Sequence, residues 1–365
     1  MTERIITPAV LHDWVGTLWL GAGSSADEAR LTAEHLVGAN LAGHDSHGVG
    51  MVPRYVKAWL ANELQLNQHV EVVSRSGSLL SLDGRRGMGP VIAFEAMQLA
   101  IDAAREHGVC AMGLKHSHHI GRIGHWAEQA IAAGLISVHF VNAVSRAVVA
   151  PFGGRDGRYV TNPFTVGIPV PGREPLLLDF ATSAIAMGKV RVAHNKGIKV
   201  PPGALIDSAG QPTDDPGVLF PPPGAAQGAL LPFAGHKGYA LAIVCEVLGA
   251  ALTGGDTTRS ETTAQQQGVW NNMLTLVIDP NRLNSAAAFA AEANAFIEWV
   301  QTSALRPDAS AILMPGDPER ASRQQRAGGI PIDLETLAEL DQAAMSVAGA
   351  RGLAVPALTP LTTPA

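Results

Sequence analysis

Apolar residues recur at helical spacing in the first part of the chain. Over residues 8–19 they lie three or four positions apart, which predicts a helix. Ser25 followed by Glu28 is the signature of a helix N-terminus, and this second helix is expected to reach about Ala42. The same spacing returns at Val49, so the N-terminal segment is predicted to be helical throughout.

The middle of the chain changes to short apolar runs that alternate with helical patterns. Strands are predicted at residues 69–73, 79–83, 109–114, 135–141, 164–170, 176–180 and 273–278. Helices are predicted at 89–107, 121–133 and 238–252, the last of them buried, and near the C-terminus at 286–305, 318–326 and 334–348. The stretch rich in proline and glycine, residues 200–228, is predicted to be a long ordered surface loop.

This order of elements predicts the α/β fold class with two parts. Alternation of strands and helices is typical of an α/β domain, which we assign to residues 64–280. Helical segments flank it on both sides, so residues 1–63 and 281–365 are expected to pack together as one helical lobe. A chain of 365 residues is long enough for two such units.

Composition narrows the function classes. Hydrophobic residues make up 47% of the chain and charged residues 16%, which fits a well-buried globular protein with a large subunit interface. The net charge of −6 comes without a basic block, which argues against nucleic-acid binding. The most apolar stretch, residues 239–252, contains Glu246 and is too short to span a bilayer. Cys110 and Cys245 lie in apolar runs and no signal-peptide pattern follows Met1, so a cytoplasmic location is predicted.

The segment from Gly43 to Gly48 concentrates reactive side chains. It reads Gly-His-Asp-Ser-His-Gly, with two imidazoles, a carboxylate and a hydroxyl in six residues between two predicted helices. Histidine changes charge near neutral pH, so this cluster suits proton transfer. The alternative is helix punctuation, in which Gly43 ends one helix and Asp45 or Ser46 caps the next.

A second histidine cluster lies in the predicted loop between a strand and the next helix. It contains His116, His118 and His119, which cannot all point the same way, so one of them is expected to face a cleft. A loop at the carboxyl end of a strand is where α/β proteins bind ligands. The backbone amides of residues 121–123 are predicted to open the next helix and, with the charge of Arg122, to bind a phosphate.

Further motifs have the chemistry to contact a ligand. Asp179 lies at a strand end, where it either accepts hydrogen bonds from a ribose or caps the following turn. Lys237 at a helix start is electrostatically unfavourable without an anion nearby, so it favours a phosphate or carboxylate ligand. Glu319, in Pro-Gly-Asp-Pro-Glu, is placed like a cap at the start of a late helix.

Absent motifs leave more than one function class open. The chain contains no G-x-G-x-x-G after a strand and no G-x-x-x-x-G-K-[ST], so the usual dinucleotide fingerprint and the P-loop are both missing. The histidines would suffice for a metal-dependent hydrolase or lyase, but no H-E-x-x-H occurs and no metal site is predicted. A non-catalytic assembly protein is a third reading, which leaves the histidine clusters and Lys237 unexplained.

Several blocks together resemble the type 2 malate/L-lactate dehydrogenase family, also called the L-sulfolactate dehydrogenase-like group. In order, they are G-H-D-S-H-G-V, S-H-H-I-G-R-I-G-x-W, P-F-G-G-R-D with T-N-P-F, L-D-F-A-T-S-A-I-A-x-G-K, H-K-G-Y-A-L and P-G-D-x-E. The resemblance implies NAD or NADP as the cofactor, bound on an α/β fold that is not a Rossmann fold. It also implies a homodimer with the active site near the subunit interface.

The resemblance assigns roles to individual residues. His47 and His119 match the histidines that act as the acid/base or contact the cofactor, and we favour His119 as the acid/base with His47 close by. Besides His47, the positions that match cofactor-binding residues are Gly121, Arg122, Ile123, Asp179, Phe180, Ala181, Thr182, Ser183, Lys237, Asn271, Gly316, Asp317, Pro318 and Glu319.

The substrate implied by the resemblance is a small 2-hydroxy or 2-oxo carboxylic acid. Many family members hold its carboxylate with an arginine three residues after the Ser-His-Gly glycine, but this chain has Met51 there. Ser46, Arg54 and Arg146 are the expected substrate-binding residues, with Arg54 or Arg146 replacing the missing arginine. The alternative is a bulkier and less polar substrate.

Overall fold

The structure, a computed structural model, describes residues 3–264, 266 and 268–352. Strands β1 to β12 span Glu3–Ile6, Glu71–Ser76, Leu79–Asp83, Val109–His118, Ile136–Val144, Pro163–Ile168, Leu176–Ala181, Leu205–Ile206, Pro212–Thr213, Ala229–Leu230, Trp270–Ile278 and Ile330–Asp333. Helices α1 to α11 span Pro8–Ala22, Ala26–Leu41, Val52–Leu60, Gly89–His107, Gly124–Ala132, Met187–Asn195, His236–Val244, Ser260–Thr263, Ala286–Gln301, Asp317–Arg326 and Leu334–Arg351.

A central sheet of seven strands runs in the order β2-β3-β4-β11-β5-β6-β7. Strands β3 and β4 pair in parallel and the other neighbours pair antiparallel. Helices α4 and α5 cover one face, where Ile92, Met97, Leu114, Trp126 and Met273 belong to one buried cluster. The predicted α/β class is confirmed, with a mixed sheet at its centre.

Strand β4 is longer than predicted and contains most of the second histidine cluster. It continues through His118, so the predicted end at Leu114 is wrong. The cause is a bulge: the register against β11 shifts between Asn271 and Met273, and His116 takes a positive φ of 53°. The bulge interrupts the two-residue alternation by which a strand is recognised, and His119 becomes the first residue after the strand.

Elements from the two ends of the chain meet. Strand β1 pairs antiparallel with β12, and neither strand was predicted because each is a run of four residues beside a helix. Leu18 of α1, Leu36 of α2, Tyr55 of α3 and Leu340 of α11 are all buried in one hydrophobic cluster. The division into domains at residues 63 and 280 stays a prediction.

Two other expectations need correction. The stretch 200–228 is not only a surface loop, because it contains β8 and β9, which form a small sheet with β10 and bury Leu205 and Leu219. The helix predicted at 238–252 begins as α7 and continues as a π-helix over Cys245–Ala251. That helix is not buried on all sides, since Val247 is 52% exposed.

Replacing Leu340 with alanine tests the packing of the C-terminal helix. Leu340 is fully buried, so Leu340→Ala should lower the free energy of unfolding by about 2–5 kcal/mol through lost burial and a cavity. Leu334→Ala, on the same helix at 45% exposure, is the control and should cost about 0.5 kcal/mol or less. Urea unfolding measures both, and equal losses would contradict the packing described.

Candidate active site

In the segment Gly43–Gly48, the first residues anchor the turn and the later ones belong to the candidate site. Gly43 has a left-handed φ of 82° after α2, so the helix-punctuation reading is right for this residue. His44 Nε2 lies 3.2 Å from the Glu319 carboxylate, and Arg326 donates to Asp45 at 2.7 Å. These contacts attach the start of the turn to α10. The end of the turn, which includes His47, faces the sheet.

The structure brings the two predicted histidines together. The rings of His47 and His119 stack with centroids 5.5 Å apart and planes inclined by 21°. The Ser46 hydroxyl lies 2.9 Å from His47 Nδ1, and the Tyr55 hydroxyl lies 2.6 Å from His119 Nδ1. Each imidazole therefore has one nitrogen held by a hydroxyl, which leaves Nε2 as the nitrogen available to a ligand.

Burial keeps both imidazoles uncharged at neutral pH. Desolvation holds the pKa of His119 well below 6.5, and the charges of His47, His118 and Arg54 lower it further. Desolvation also lowers the pKa of His47 to about 4, with His44 as the next cause. A neutral imidazole is the form that accepts a proton, so the pair is ready to act as a base.

His118, the last residue of β4, has a different environment. It is fully buried, and its ring lies edge-on to the Tyr55 ring with centroids 5.1 Å apart. Neither ring nitrogen has a hydrogen-bond partner among the described residues, and burial lowers its pKa to about 3. His118 therefore packs behind the site as a neutral side chain.

The turn before α5 is already occupied by protein groups. Arg122 is buried and forms a bidentate pair with Glu128 at 2.9 and 3.0 Å, with Asp179 3.5 Å from its Nε. The backbone amide of Arg122 donates to His35, and that of Gly124 donates to Asp179. The charge of Arg122 is thus matched by carboxylates, and the cofactor-binding role of residues 121–123 stays a prediction.

Both carboxylate oxygens of Asp179 have protein partners in this structure. Its Oδ2 accepts from Gly124 at the start of α5, and its Oδ1 accepts from the Thr165 hydroxyl at 2.8 Å. It therefore caps a distant helix rather than the turn that follows it. Phe180 and Ala181 end β7, and a ribose contact of Asp179 stays a prediction.

The remaining predicted cofactor residues fall in three places. The backbone amide of Phe233 donates to the Thr182 carbonyl at 3.0 Å, which joins the loop of Thr182 and Ser183 to the start of α7 and Lys237. Asn271 bridges the strand ends, since it accepts from the amide of Ile120 and donates to the Asn142 carbonyl, both at 2.9 Å.

The third place is the start of α10. Gly316 has a φ of 95° and Asp317 accepts from the amide of Met314. Pro318 follows in the first turn of the helix. A cavity of about 320 Å³ lies here, lined in part by Glu128, Gly316, Glu319 and Arg323.

Arginines lie beside the histidines. Arg54 donates to the Ser145 hydroxyl at 3.0 Å, and Arg146 donates to the Leu219 carbonyl at 3.4 Å. Neither forms an ion pair with a carboxylate among the described residues, and Arg54 is near enough to lower the pKa of His119. Met51, at the position of the family arginine, packs instead against the cluster formed by the terminal helices.

Sequence reasoning missed Tyr55 and His35. Tyr55 fits the apolar spacing of α3, so the pattern gives it a core position and no sign that its hydroxyl meets His119. His35 lies mid-helix, where its ring stacks on Trp126 and leaves no room for a side chain on Gly121. Only the meeting of distant segments reveals either role.

The described residues contain neither a candidate metal centre nor a candidate membrane-spanning helix. In the part of the chain that the structure describes, no group of three or more His, Cys, Asp or Glu side chains is placed to hold a metal ion. None of the described helices combines the length and the apolar character needed to cross a bilayer.

Comparisons with known proteins agree on one family. A family model described as malate/L-lactate dehydrogenase matches residues 6–341. Hydroxycarboxylate dehydrogenase B of Escherichia coli (strain K12) is 50% identical over 88% of this chain and 89% of that protein. L-lactate dehydrogenase of Cupriavidus necator is 39% identical over 88% of this chain and 92% of that protein. The solved structure of a malate/lactate dehydrogenase candidate from E. coli matches with a TM-score of 0.90 at 48% identity, over 94% of this chain and 95% of that one.

The neutrality of His118 predicts a loss of stability in acid. Its folded pKa of about 3 lies below the ordinary 6.5, so the unfolded chain gains a proton first as the pH falls. Between about pH 6.5 and pH 5 this histidine should remove about 2 kcal/mol from the free energy of unfolding. Urea unfolding at both pH values should therefore show a smaller acid loss for His118→Leu than for the native chain. The same acid loss in both proteins would show that His118 does not contribute.

Proposed function

Because the chain belongs to the malate/L-lactate dehydrogenase family, we propose that it transfers a hydride between NAD or NADP and C2 of a 2-hydroxy or 2-oxo carboxylic acid. The observation that carries this proposal is the stack of two neutral imidazoles, His47 and His119, beside Arg54. Hydroxy-acid oxidation needs a group that accepts the hydroxyl proton and a cation for the carboxylate, and both are present. The rival reading, a metal-dependent hydrolase or lyase, gains no support from the described residues.

His119 is the proposed acid/base. When the Tyr55 hydroxyl donates to the His119 carbonyl, 3.4 Å away, its oxygen can accept from Nδ1–H and leave Nε2 free to take a proton. In the reverse direction the protonated imidazole, with Nδ1–H still donating to the Tyr55 oxygen, gives its Nε2 proton to the substrate carbonyl oxygen and returns to the neutral form. Tyr55 thus supports both directions of the reaction, and burial keeps the hydroxyl protonated by raising its pKa.

The substrate carboxylate is assigned to Arg54 and Arg146. Arg54 of α3 donates to the hydroxyl of Ser145, which directly precedes Arg146, so the two arginines lie close to each other. A guanidinium binds a carboxylate through two parallel hydrogen bonds, which also orients C2. Ser46 is proposed to contact the substrate from the His47 turn, and these arginines replace the family arginine that is Met51 here.

The residues present fit a nicotinamide cofactor. Lys237 is exposed at the start of α7 and has no carboxylate partner among the described residues, as expected of a group that meets a phosphate. Its loop contacts that of Thr182 and Ser183, and Asn271 holds the loop after His119 in place. We propose that these residues, with His47 and the turns at 121–123 and 316–319, hold the cofactor on a fold that is not a Rossmann fold. The bound cofactor supplies or accepts the hydride.

We also propose a homodimer in the cytoplasm, with no nucleic-acid or membrane partner. Ile243, Val244, Val247 and Leu252 are exposed apolar residues on the outer side of α7 and the π-helix that follows. A contiguous apolar face of this kind marks a subunit interface. The inner side of this helix packs on strands β5 and β11, so a partner subunit would lie close to the sheet.

Variants of the two histidines test the reaction. Reduction of a panel of 2-oxo acids, followed at about 340 nm with NADH and with NADPH, should show turnover by the native chain. His119→Asn should lower kcat about a hundredfold or more with little change in cofactor binding, because a positioned proton donor is lost. His47→Asn should raise the KM or Kd of cofactor or substrate at least as much as it lowers kcat. Activity retained by both variants would place the reaction elsewhere in the protein.

A charge on the apolar face tests the dimer. Val247→Glu should convert the dimer to a monomer in light scattering at micromolar concentration, because the interface would bury an unpaired charge. Val10→Glu is the control, since Val10 on α1 has 50% exposure against 52% for Val247. A native chain that is already monomeric, or a dimer that tolerates Val247→Glu, would contradict the proposed interface.

A further inference from the structure

Helix α2 contacts both parts of the candidate site. It ends at Leu41, shortly before the turn that contains His47, and its middle lies against the loop after His119. Two polar side chains of the helix, His35 and Asn40, make these contacts, and each is only 1% exposed. Their separation in sequence corresponds to about 7.5 Å along the axis of an α-helix. One helix therefore reaches the surroundings of both imidazoles.

His35 holds the loop after His119 by its backbone. The amide of Arg122 donates to His35 Nε2 at 3.0 Å, and a Cβ on Gly121 would overlap the same nitrogen. The φ of Gly121 is 70°, so glycine suits both the backbone conformation and the close approach. The His35 ring also stacks on Trp126, with ring centroids 5.0 Å apart. A shift of this loop would break the contact with His35.

The hydrogen bond from Arg122 requires His35 to be neutral. Burial holds the pKa of His35 well below 6.5, and the charge of His125 lowers it further. Because Nε2 is the acceptor, the hydrogen of the neutral ring is on Nδ1. The side-chain oxygen of a glutamine can reach the position of Nε2, whereas that of the shorter asparagine cannot. These two replacements therefore differ in whether they can accept from the Arg122 amide.

Asn40 holds the turn that contains His47. Its Nδ2 donates to Asp45 Oδ1 at 2.7 Å, and its Oδ1 accepts from the amide of Val49 at 2.8 Å. His47 lies between these two contacts in sequence. A Cβ on Gly48 would overlap the Asn40 side chain, so here too a glycine admits a polar group of α2. The turn is thus attached to α2 as well as to α10.

Building on the proposed function, we propose that His35 and Asn40 are positioning residues that set the distance between His47 and His119. Proton transfer depends on geometry, and a displacement of about 1 Å can cost on the order of a hundredfold in rate. The turn and the loop are far apart in sequence and share neither a helix nor a sheet, so a third element must relate them. Helix α2 is that element, and Leu36 fixes it in the core formed by the terminal helices.

The matched variants His35→Asn and His35→Gln test the contact with Arg122. Oxidation of racemic lactate, malate and 2-hydroxybutyrate by the full chain, with NAD and with NADP, is followed at about 340 nm. His35→Asn should lower kcat at saturating cofactor at least about tenfold, because the loop that begins at His119 is released. His35→Gln should stay within about threefold of the native kcat, since its oxygen can accept from the same amide.

The pH profile separates positioning from general stability. Oxidation needs a neutral base, so kcat/KM falls as the pH decreases through the pKa of that base. In the native site, burial keeps the pKa of His119 well below 6.5. The titratable or charged side chains around it are His47, Tyr55, His118 and Arg54. In His35→Asn, water reaches His119 more easily, so this decline in activity should move up towards pH 6.5. A variant that is only less stable would keep the native profile.

Asn40→Ala tests the second contact. It should also lower kcat at least about tenfold, because the turn that contains His47 is released. If both contacts serve one spacing, the double variant His35→Asn/Asn40→Ala should lose clearly less than the product of the two single losses. Glu34→Gln is the control on the same helix. Glu34 is exposed and pairs with Arg30, so its loss should leave kcat and the pH profile unchanged.

Hydrogen exchange of the Arg122 amide gives a readout that does not need catalysis. Exchange should be faster in His35→Asn than in the native chain and unchanged in His35→Gln. Equal kcat losses in these two variants, an unchanged pH profile, or fully multiplicative losses in the double variant would overturn the proposal. If His35→Asn does not fold, Asn40→Ala and its pH profile test the same spacing. No oxidation of any of these acids by the native chain would overturn the proposed function itself, and the exchange of the Arg122 amide would then still decide whether α2 anchors the loop.

Discussion

The site depends on the attachment of one short turn to the sheet. His47 lies in a turn between helices near the N-terminus, and His119 directly follows β4. Their rings meet because contacts with α10 fix the position of this turn. His44 pairs with Glu319 of α10, and Asp45 pairs with Arg326 of the same helix. Solvent-accessible pairs of this kind contribute little to stability one at a time, so their main effect is to fix the turn where the imidazoles stack.

Further ion pairs connect that attachment to the loop that carries His119. Glu128 of α5 accepts from Arg122, whose side chain is buried, and from Arg323 of α10, at 2.9 Å or close to it. Burial would raise the pKa of the Glu128 carboxyl, but the charges of Arg122 and Arg323 lower it below its ordinary value. A buried pair gives specificity more than net stability, because removing one partner leaves a charge without water or counter-charge. These ion pairs therefore fix the positions of α5, α10 and the loop after β4 more than they stabilise the fold.

Much of the architecture could be predicted from the sequence, and the failures have physical causes. Helices with long apolar periodicity, such as α4, were located correctly because their pattern extends over many turns. Strands β1 and β12 were missed because four residues give no periodicity, and each is a strand only through the other. The bulge at His116 broke the alternation of β4, so the strand end was placed too early.

The same reasoning explains which site residues could be found. His47 and His119 stand out because histidine clusters are rare in an otherwise apolar chain. Tyr55 and His35 both fit the pattern of their own helices, so neither is recognised as a site residue when each helix is considered alone. Their contacts with His119 and with the backbone amide of Arg122 join segments far apart in sequence, for which no local pattern exists.

One scaffold supports both the candidate site and the apolar face of the π-helix. The buried carboxyl group of Glu246 lies on the inner side of that helix and accepts from Asn142, Asn162 and the amide of Thr258. The carbonyl of Asn142 in turn accepts from Asn271, which holds the loop after His119. A π-helix often marks a functional position. Here the π-helix contains Glu246, whose carboxyl group forms these hydrogen bonds. Val247, the residue after Glu246, lies on the outer face of the helix. A partner subunit that covers Val247 would therefore contact the same helix that holds the strand ends. In the proposed dimer, the subunit contact and the candidate site would therefore share the same helical turn.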